Sequence, residues 1–266
     1  MNGTIDLQAE SIYRGSLILV NREYGYRERK EDLAAPGREE TAQTLMQRRA
    51  ALLLDSLMEV IGGWREIVPV SGWRSYREQK AIWEESLAES GREFTEKYVA
   101  LPGHSEHQTG LAIDLGKRQE EIDFIRPDFP YTGICQSFRK KAAEYGFIER
   151  YPAGKEEITG IGHEPWHFRY VGIPHARIMQ EKEMTLEEYI SFIRQFPYGE
   201  AAYRIRERGR EIEVSYLKAQ EECTRLEMDP QVPYAVSGNN VDGFIITQWR
   251  RKSGCAQSAR YVEVSS

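Results

Sequence analysis

Cysteine is scarce in this chain. The three present, Cys135, Cys223 and Cys255, are odd in number and irregularly spaced, which excludes a disulfide framework or a cysteine-bound metal and suits reduced thiols. No run of residues is apolar enough to span a bilayer. The opening from Met1 to Glu10 has neither a basic region nor an apolar core of the secretory kind, so a cytoplasmic location is expected. Positive charge is also short: 36 basic against 42 acidic residues give a net charge of −6, which disfavours nucleic acid as a partner. The basic run from Arg204 to Arg210 is interrupted by Glu207 and reads as a solvated helical face. Internal repeats and low-complexity linkers are missing too. What remains is globular in composition, 40% hydrophobic and 29% charged over 266 residues, enough for one large domain or a domain with an appendage.

Histidine is equally sparse, yet all five residues fall between His104 and His175. The segment from Ser105 to Asp114 offers His107 and Asp114, and the segment from His163 to His167 offers His167 and Glu164. Two imidazoles and a carboxylate make the protein ligand set of a catalytic zinc site, with a fourth position left for water and a spare carboxylate to take its proton. Asp114 stands alone among Leu111, Ala112, Ile113 and Leu115, where a buried acid is costly unless a cation or hydrogen bonds neutralise it. Gly110 permits a turn between His107 and the strand that carries Asp114.

The run His163-Glu164-Pro165-Trp166-His167 has the letters of the helical zinc-protease motif H-E-x-x-H, but Pro165 breaks a helix there and pushes Glu164 towards extended geometry. From Trp166 to Val171 the residues are β-formers and read as a strand, His167 and Arg169 on one face, Trp166, Phe168 and Tyr170 on the other. His167 is then a ligand presented by a strand, Glu164 lies on the bend before it, and His163 is a bystander.

Along the rest of the chain, Ile12 to Val20 reads as a strand and Glu39 to Ile61 as a long helix stopped by Gly62 and Gly63. Val68 to Gly72 reads as a strand ending in a turn, Tyr76 to Ser90 as a helix, and Ser137 to Tyr145 as a helix ended by Gly146. Asp123 to Gly133 is a loop and a candidate wall or lid of a cleft. A capping box at Thr185 and Glu188 opens a helix to Phe196, and Glu211 to Leu217 and Gly243 to Trp249 are strands with turns at Asn239-Asn240 and Asp242-Gly243. Mixed elements without a βαβ repeat predict an α+β fold with a central antiparallel sheet flanked by helices. The division expected is 1–180 for the catalytic domain and 181–266 for a small C-terminal helix and β-rich extension without a catalytic grouping.

Ser71-Gly72-Trp73-Arg74-Ser75, Gln79, Ser105-Glu106-His107 through Asp114, and Glu164-Pro165-Trp166-His167 together resemble the D-alanyl-D-alanine zinc peptidases of vancomycin resistance, the VanY/VanX family. Within it the pattern is most similar to the bifunctional VanXY type found with VanG resistance, which also has counterparts of Ile12 to Asn21 and Ser237 to Phe244. The resemblance implies the fold shared with Hedgehog signalling domains. It implies Zn²⁺ on His107, Asp114 and His167, with Glu164 as general base and acid. It further implies that Arg74 polarises the scissile carbonyl and stabilises the oxyanion, and that Gln79 and Ser105 help to hold the substrate's terminal carboxylate. A guanidinium fork after a strand end suits that oxyanion role, although without the resemblance the bare sequence favours a surface salt bridge. The implied substrates are free D-Ala-D-Ala and the muramyl pentapeptide precursor that ends in it. Two alternatives stay open: an L,D-carboxypeptidase or endopeptidase of the cell wall, and a metal-retaining binding protein, the latter needing neither Glu164 nor Arg74.

Overall fold

The computed structural model describes residues 3–37, 43–207 and 209–251. In chain order the elements are β1 (Gly3–Gln8), β2 (Leu33–Ala34), β3 (Met46–Gln47), α1 (Arg48–Ile61), β4 (Ile67–Ser71), α2 (Tyr76–Tyr98) and β5 (Ala112–Lys117). There follow α3 (Gly133–Ala142), β6 (Phe147–Tyr151), α4 (Glu156–Thr159), β7 (Glu164–Tyr170), α5 (His175–Glu181) and α6 (Leu186–Ile193). The chain continues through β8 (Tyr203–Glu207), β9 (Arg210–Lys218), β10 (Cys223–Met228), β11 (Tyr234–Gly238) and β12 (Gly243–Arg251).

The apolar faces of β5 and β7 dictate the central layer. Four antiparallel strands lie in the order β4-β5-β7-β6, as the α+β reading requires. Trp166, Phe168 and Tyr170 point from β7 into a core with Leu54, Leu57, Phe138 and Phe147, each such side chain contributing roughly 1.5–3 kcal/mol by leaving water. The opposite face of β7 carries His167 and Arg169, as period-two alternation demands. A second antiparallel sheet, β11-β12-β9-β8, shares a second core with α5 and α6, while β1 pairs with β10 and β2 with β3.

Several expectations are corrected. The segment from Ile12 to Val20 forms no strand, although its alternation is real: Ile18 and Val20 enter the first core, Leu17 and Leu19 the second. Its backbone groups are satisfied off any ladder, Leu17 N–H by Ser237 Oγ at 2.9 Å and Leu19 N–H by the Asn239 carbonyl at 3.0 Å. The helix expected from Glu39 starts at Arg48, because Met46 and Gln47 are taken into the pairing with β2; residues 39–42 lie outside the described residues. Its buried stripe is Ala50, Ala51, Leu54, Leu57 and Met58, and Leu52 faces solvent. The basic run after Tyr203 begins as β8 and not as a helix: Tyr203 and Ile205 pack on the second core while Arg204 donates to Glu213 at 2.9 Å. Glu164 is the first residue of β7, paired with Tyr151, and not on a preceding bend. The helix after Ser75 continues past Ser90 through a break at Gly91, and the helix after Thr185 stops at Ile193. Of the cysteines, Cys135 and Cys223 are free thiols, and Cys255 is outside the described residues.

Candidate metal and catalytic site

Strand register builds the site. Asp114 on β5 pairs directly with His167 on β7 and with Ser71 at the end of β4, so three neighbouring strands present side chains at one place. A short 3-10 turn, Glu106–Thr109, ends at Gly110 in the left-handed region and delivers His107 to the same spot. One nitrogen from each of His107 and His167 and one oxygen of Asp114 lie within 4.8 Å of one another, all three residues buried. His107 Nδ1 lies 2.7 Å from the Gly72 carbonyl, which fixes the proton there and leaves Nε2 with a lone pair directed at Asp114 Oδ2, 3.1 Å away. Gly72 makes this possible by its close approach to the backbone before α1, where a Cβ would stand 2.3 Å from the Leu45 carbonyl oxygen. His167 turns Nδ1 inward, 2.9 Å from Asp114 Oδ1. Two imidazole nitrogens and a carboxylate oxygen with their ring orientations fixed are the donor set zinc takes, and the residues fit that ion.

Glu164 Oε2 lies 3.7 Å from His167 Nδ1. Burial raises its carboxyl to about 8, Asp114 adding to the rise and His167 and Arg74 opposing it, so Glu164 is able to hold a proton near neutrality. Burial likewise opposes charge on Asp114, but the two imidazoles hold it well below the usual carboxylate range. Burial and the neighbouring Arg74 hold His107 down at about 4, whereas Asp114 overcomes burial at His167 and lifts it to about 9.

Arg74 leaves β4 and turns back over the trio. Its Nη2 is 3.0 Å from Asp114 Oδ2 and 3.3 Å from His107 Nε2, while Nε donates to Ser71 Oγ at 2.9 Å. It is thus a partly buried cation bound into the site and not a surface salt-bridge residue. Gln79, near the start of α2, accepts from Arg74 Nη1 at 3.2 Å and donates to the Ala100 carbonyl at 2.8 Å; its amide fastens the guanidinium. Ser105 lines the same cleft with Phe124, Tyr151 and Trp166, and Phe124 comes from the loop expected to form a wall. His163 is outside the group, bound to Tyr131 at 2.8 Å, and His104 meets the Asn21 carbonyl at 2.7 Å.

Sequence reasoning passed over the charges behind the trio. Glu106, fully buried, accepts from Arg150 Nε at 2.8 Å and Arg169 Nη1 at 2.6 Å, and these arginines outweigh burial to hold its carboxyl well below the usual range. Tyr151, whose ring centre is 4.9 Å from that of His167, was also passed over. The signal available was composition: arginines flanked by aromatic residues within strands, Arg150 beside Tyr151 in β6 and Arg169 between Phe168 and Tyr170 in β7.

Residues 43–173 match the family model described as VanY, D-alanyl-D-alanine carboxypeptidase. The bifunctional D-Ala-D-Ala dipeptidase and D-Ala-D-Ala carboxypeptidase VanXYC of Enterococcus gallinarum is 46% identical over 151 residues, 56% of this chain and 80% of that protein. Among solved structures, the vancomycin resistance D,D-dipeptidase VanXYg in complex with a D-Ala-D-Ala phosphinate analogue aligns with a TM-score of 0.91 and 50% identity, covering 94% of this chain and all of that one. The LdcB LD-carboxypeptidase aligns at 0.57 with 38% identity, over 65% of this chain and 84% of its own. A mutant of the D,D-pentapeptidase VanY from a VanB-type resistance cassette, in complex with Zn(II), aligns at 0.54 with 30% identity, over 66% and 98%.

Proposed function

The chain belongs to the VanY family of D-alanyl-D-alanine carboxypeptidases, and from that premise we propose that it is a zinc-dependent hydrolase of D-Ala-D-Ala peptide bonds. As D,D-dipeptidase it would act on the free dipeptide, as D,D-carboxypeptidase on the muramyl pentapeptide precursor, in the setting of glycopeptide resistance. The observation that carries this reading is the convergence of His107, Asp114, His167 and Glu164 on one cleft in a chain that aligns with VanXYg along nearly its whole length. With it goes a cytoplasmic site of action, tested by cell fractionation. Among the described residues no helix is long and apolar enough to cross a membrane.

His107 Nε2, an Asp114 oxygen and His167 Nδ1 would hold the ion, which when bound supplies Lewis acidity towards a carbonyl and towards water. Glu164 then serves proton transfer: its buried carboxylate accepts a proton from the attacking water and returns it to the leaving amine nitrogen. Arg74 would set a fixed positive charge beside the carbonyl oxygen, where oxyanion charge develops, with no reorganisation needed at that moment. Gln79 keeps that fork aimed, and its second amide proton together with the Ser105 hydroxyl would meet the substrate's terminal carboxylate, a reading supported by their lining the same cleft.

The test is to assay the purified protein on D-Ala-D-Ala and on a pentapeptide ending in D-Ala-D-Ala, with zinc and after chelation. Release of D-Ala from at least one, lost on chelation and restored by zinc, is the expected result; no hydrolysis of either would defeat the reading. The alignment with LdcB favours a second arm, a peptide ending in an L,D bond, and exclusive cleavage of that peptide would replace the D,D assignment.

A further inference from the structure

We infer that Glu106 is the residue that positions His167 for a metal, and that it is braced by Arg150 on β6 and, through that arginine, by Glu187 on α6, so that the C-terminal part of the chain supports the metal site. The inference rests on the reading of His107, Asp114 and His167 as zinc-holding.

Glu106 Oε1 is saturated by Arg150 and Arg169. Its other oxygen, Oε2, is fully buried without a hydrogen-bond partner among the described residues, and so is His167 Nε2. These two unpartnered atoms face each other at 3.7 Å. A buried donor and a buried acceptor left apart are costly, and closing them to a hydrogen bond takes a shift of under about 1 Å. The chemistry of the ring supplies the reason to close. A neutral imidazole has one proton, and a ring that offers Nδ1 to a cation must keep that proton on Nε2, where Glu106 Oε2 stands to receive it. His107 is braced in the mirror sense, its Nδ1 against the Gly72 carbonyl. One 3-10 turn therefore carries both a ligand and the brace of the other ligand.

The support reaches outward. Arg150 Nη1 and Nη2 grip both oxygens of Glu187, at 3.0 and 2.7 Å, and Glu187 lies in the first turn of α6. Arg169 Nη2 donates to the carbonyls of Ser16 at 3.1 Å and Ile18 at 2.8 Å. Two buried arginines against two glutamates keep Glu106 in place without net charge.

Glu106→Asp tests this, since it retains the charge both arginines need but withdraws the oxygen from His167. Zinc affinity would be measured by competition with a chromophoric chelator, the fold by circular dichroism, and the His167 ring by ¹⁵N NMR of its Nε2–H. The expected outcome is a folded variant with zinc binding weakened about 10- to 100-fold, the usual effect of losing a ligand's outer partner, and a weakened Nε2–H hydrogen bond. Glu187→Gln, which leaves Glu106 and its arginines intact, should weaken zinc binding in the same direction by less. A merely structural ion pair would lower thermal stability and leave zinc affinity and the ring signal untouched; that result in a folded Glu106→Asp protein overturns the inference. If that variant fails to fold, Glu187→Gln decides: weakened zinc binding supports the brace, and unchanged binding overturns it. Wild-type protein that takes up no zinc would instead defeat the zinc reading on which the inference stands.

Discussion

Glu164 differs from the other acids of the cleft in its surroundings more than in its chemistry. Asp114 meets two imidazoles and stays ionised, whereas Glu164 is raised to about 8 by burial, so one carboxyl stays charged while the other is able to hold a proton near neutrality. Glu164→Ala should keep zinc content and lose turnover by about a hundredfold or more; near-normal kcat in a zinc-loaded variant would remove Glu164 from proton transfer. Arg74→Ala should lower kcat by about a hundredfold or more, the scale for losing an oxyanion donor, with zinc retained. A raised KM with kcat unchanged would assign Arg74 to ground-state binding. Lys should rescue only partly, because the fork that spans Ser71, Gln79 and Asp114 is lost. Far from the cleft, His175 is buried against Tyr189 and Thr247 and held down at about 3 by that burial. In the unfolded chain it takes up a proton near 6.5 and in the folded chain it does not. Its contribution is therefore intact above about pH 6.5 and is lost, at up to about 1.4 kcal/mol per pH unit, as pH falls towards 3. Urea midpoints of His175→Gln should accordingly fall less steeply between pH 6.5 and 4.5 than those of the wild type, and parallel slopes would contradict the burial argument.

At the scale of elements, the strands that bring Asp114 and His167 together were legible because their patterns are local. A Pro inside H-E-x-x-H forbids a helix, and an acid amid apolar neighbours marks a strand that needs a partner charge. Helix ends with glycine stops were legible for the same reason: Gly62 and Gly146 end their segments in left-handed geometry, as read. What escaped was whatever depends on distant partners. The stretch from Leu17 to Val20 looks like a strand by alternation, yet its hydrogen bonds go to Ser237, Asn239, Asn240 and Arg169. The pairing of β8 with β9 was hidden because the alternation of Arg204 and Arg206 with Tyr203 and Ile205 reads equally as a charged helix face, and the distant partner strand with Glu213 settles it. The tetrad behind His167 was invisible for a deeper reason: Glu106, Arg150, Arg169 and Glu187 come from four separate segments, and no spacing rule joins them. Gly110 shows how an element boundary sets the site. With φ of 70° and a Cβ that would stand 2.9 Å from Leu33 Cδ2, Gly110→Ala should cost roughly 1–3 kcal/mol and displace His107. Thermal melts and zinc titration together check this, and a variant equal to wild type in both would show that the turn is not what aims the ligand.

For the whole molecule, we propose that the division at 180 separates the zinc donors from the part that holds them in place, not two independent folding units. Leu17, Leu19, Ile148, Val171, Ile178 and Met179 share their core with Leu186, Tyr189, Ile193, Ile212, Val214 and Ile245. Uncovering the first six at roughly 1.5–3 kcal/mol each would consume the whole stability of an ordinary domain. Residues 1–180 expressed alone should therefore aggregate or melt without cooperativity; a soluble fragment with native zinc affinity would establish two folding units instead. The pairing of β1 with β10 carries this further into the history of each molecule. Ile5 has to find Leu226 across more than two hundred residues, so β1 emerges during synthesis long before its partner and must wait to find its place. Throughout that interval Gly3–Gln8 offers an unpaired edge with alternating apolar residues to any neighbouring chain, and growth rate, temperature and chaperone supply would govern how much of the newly made protein escapes aggregation.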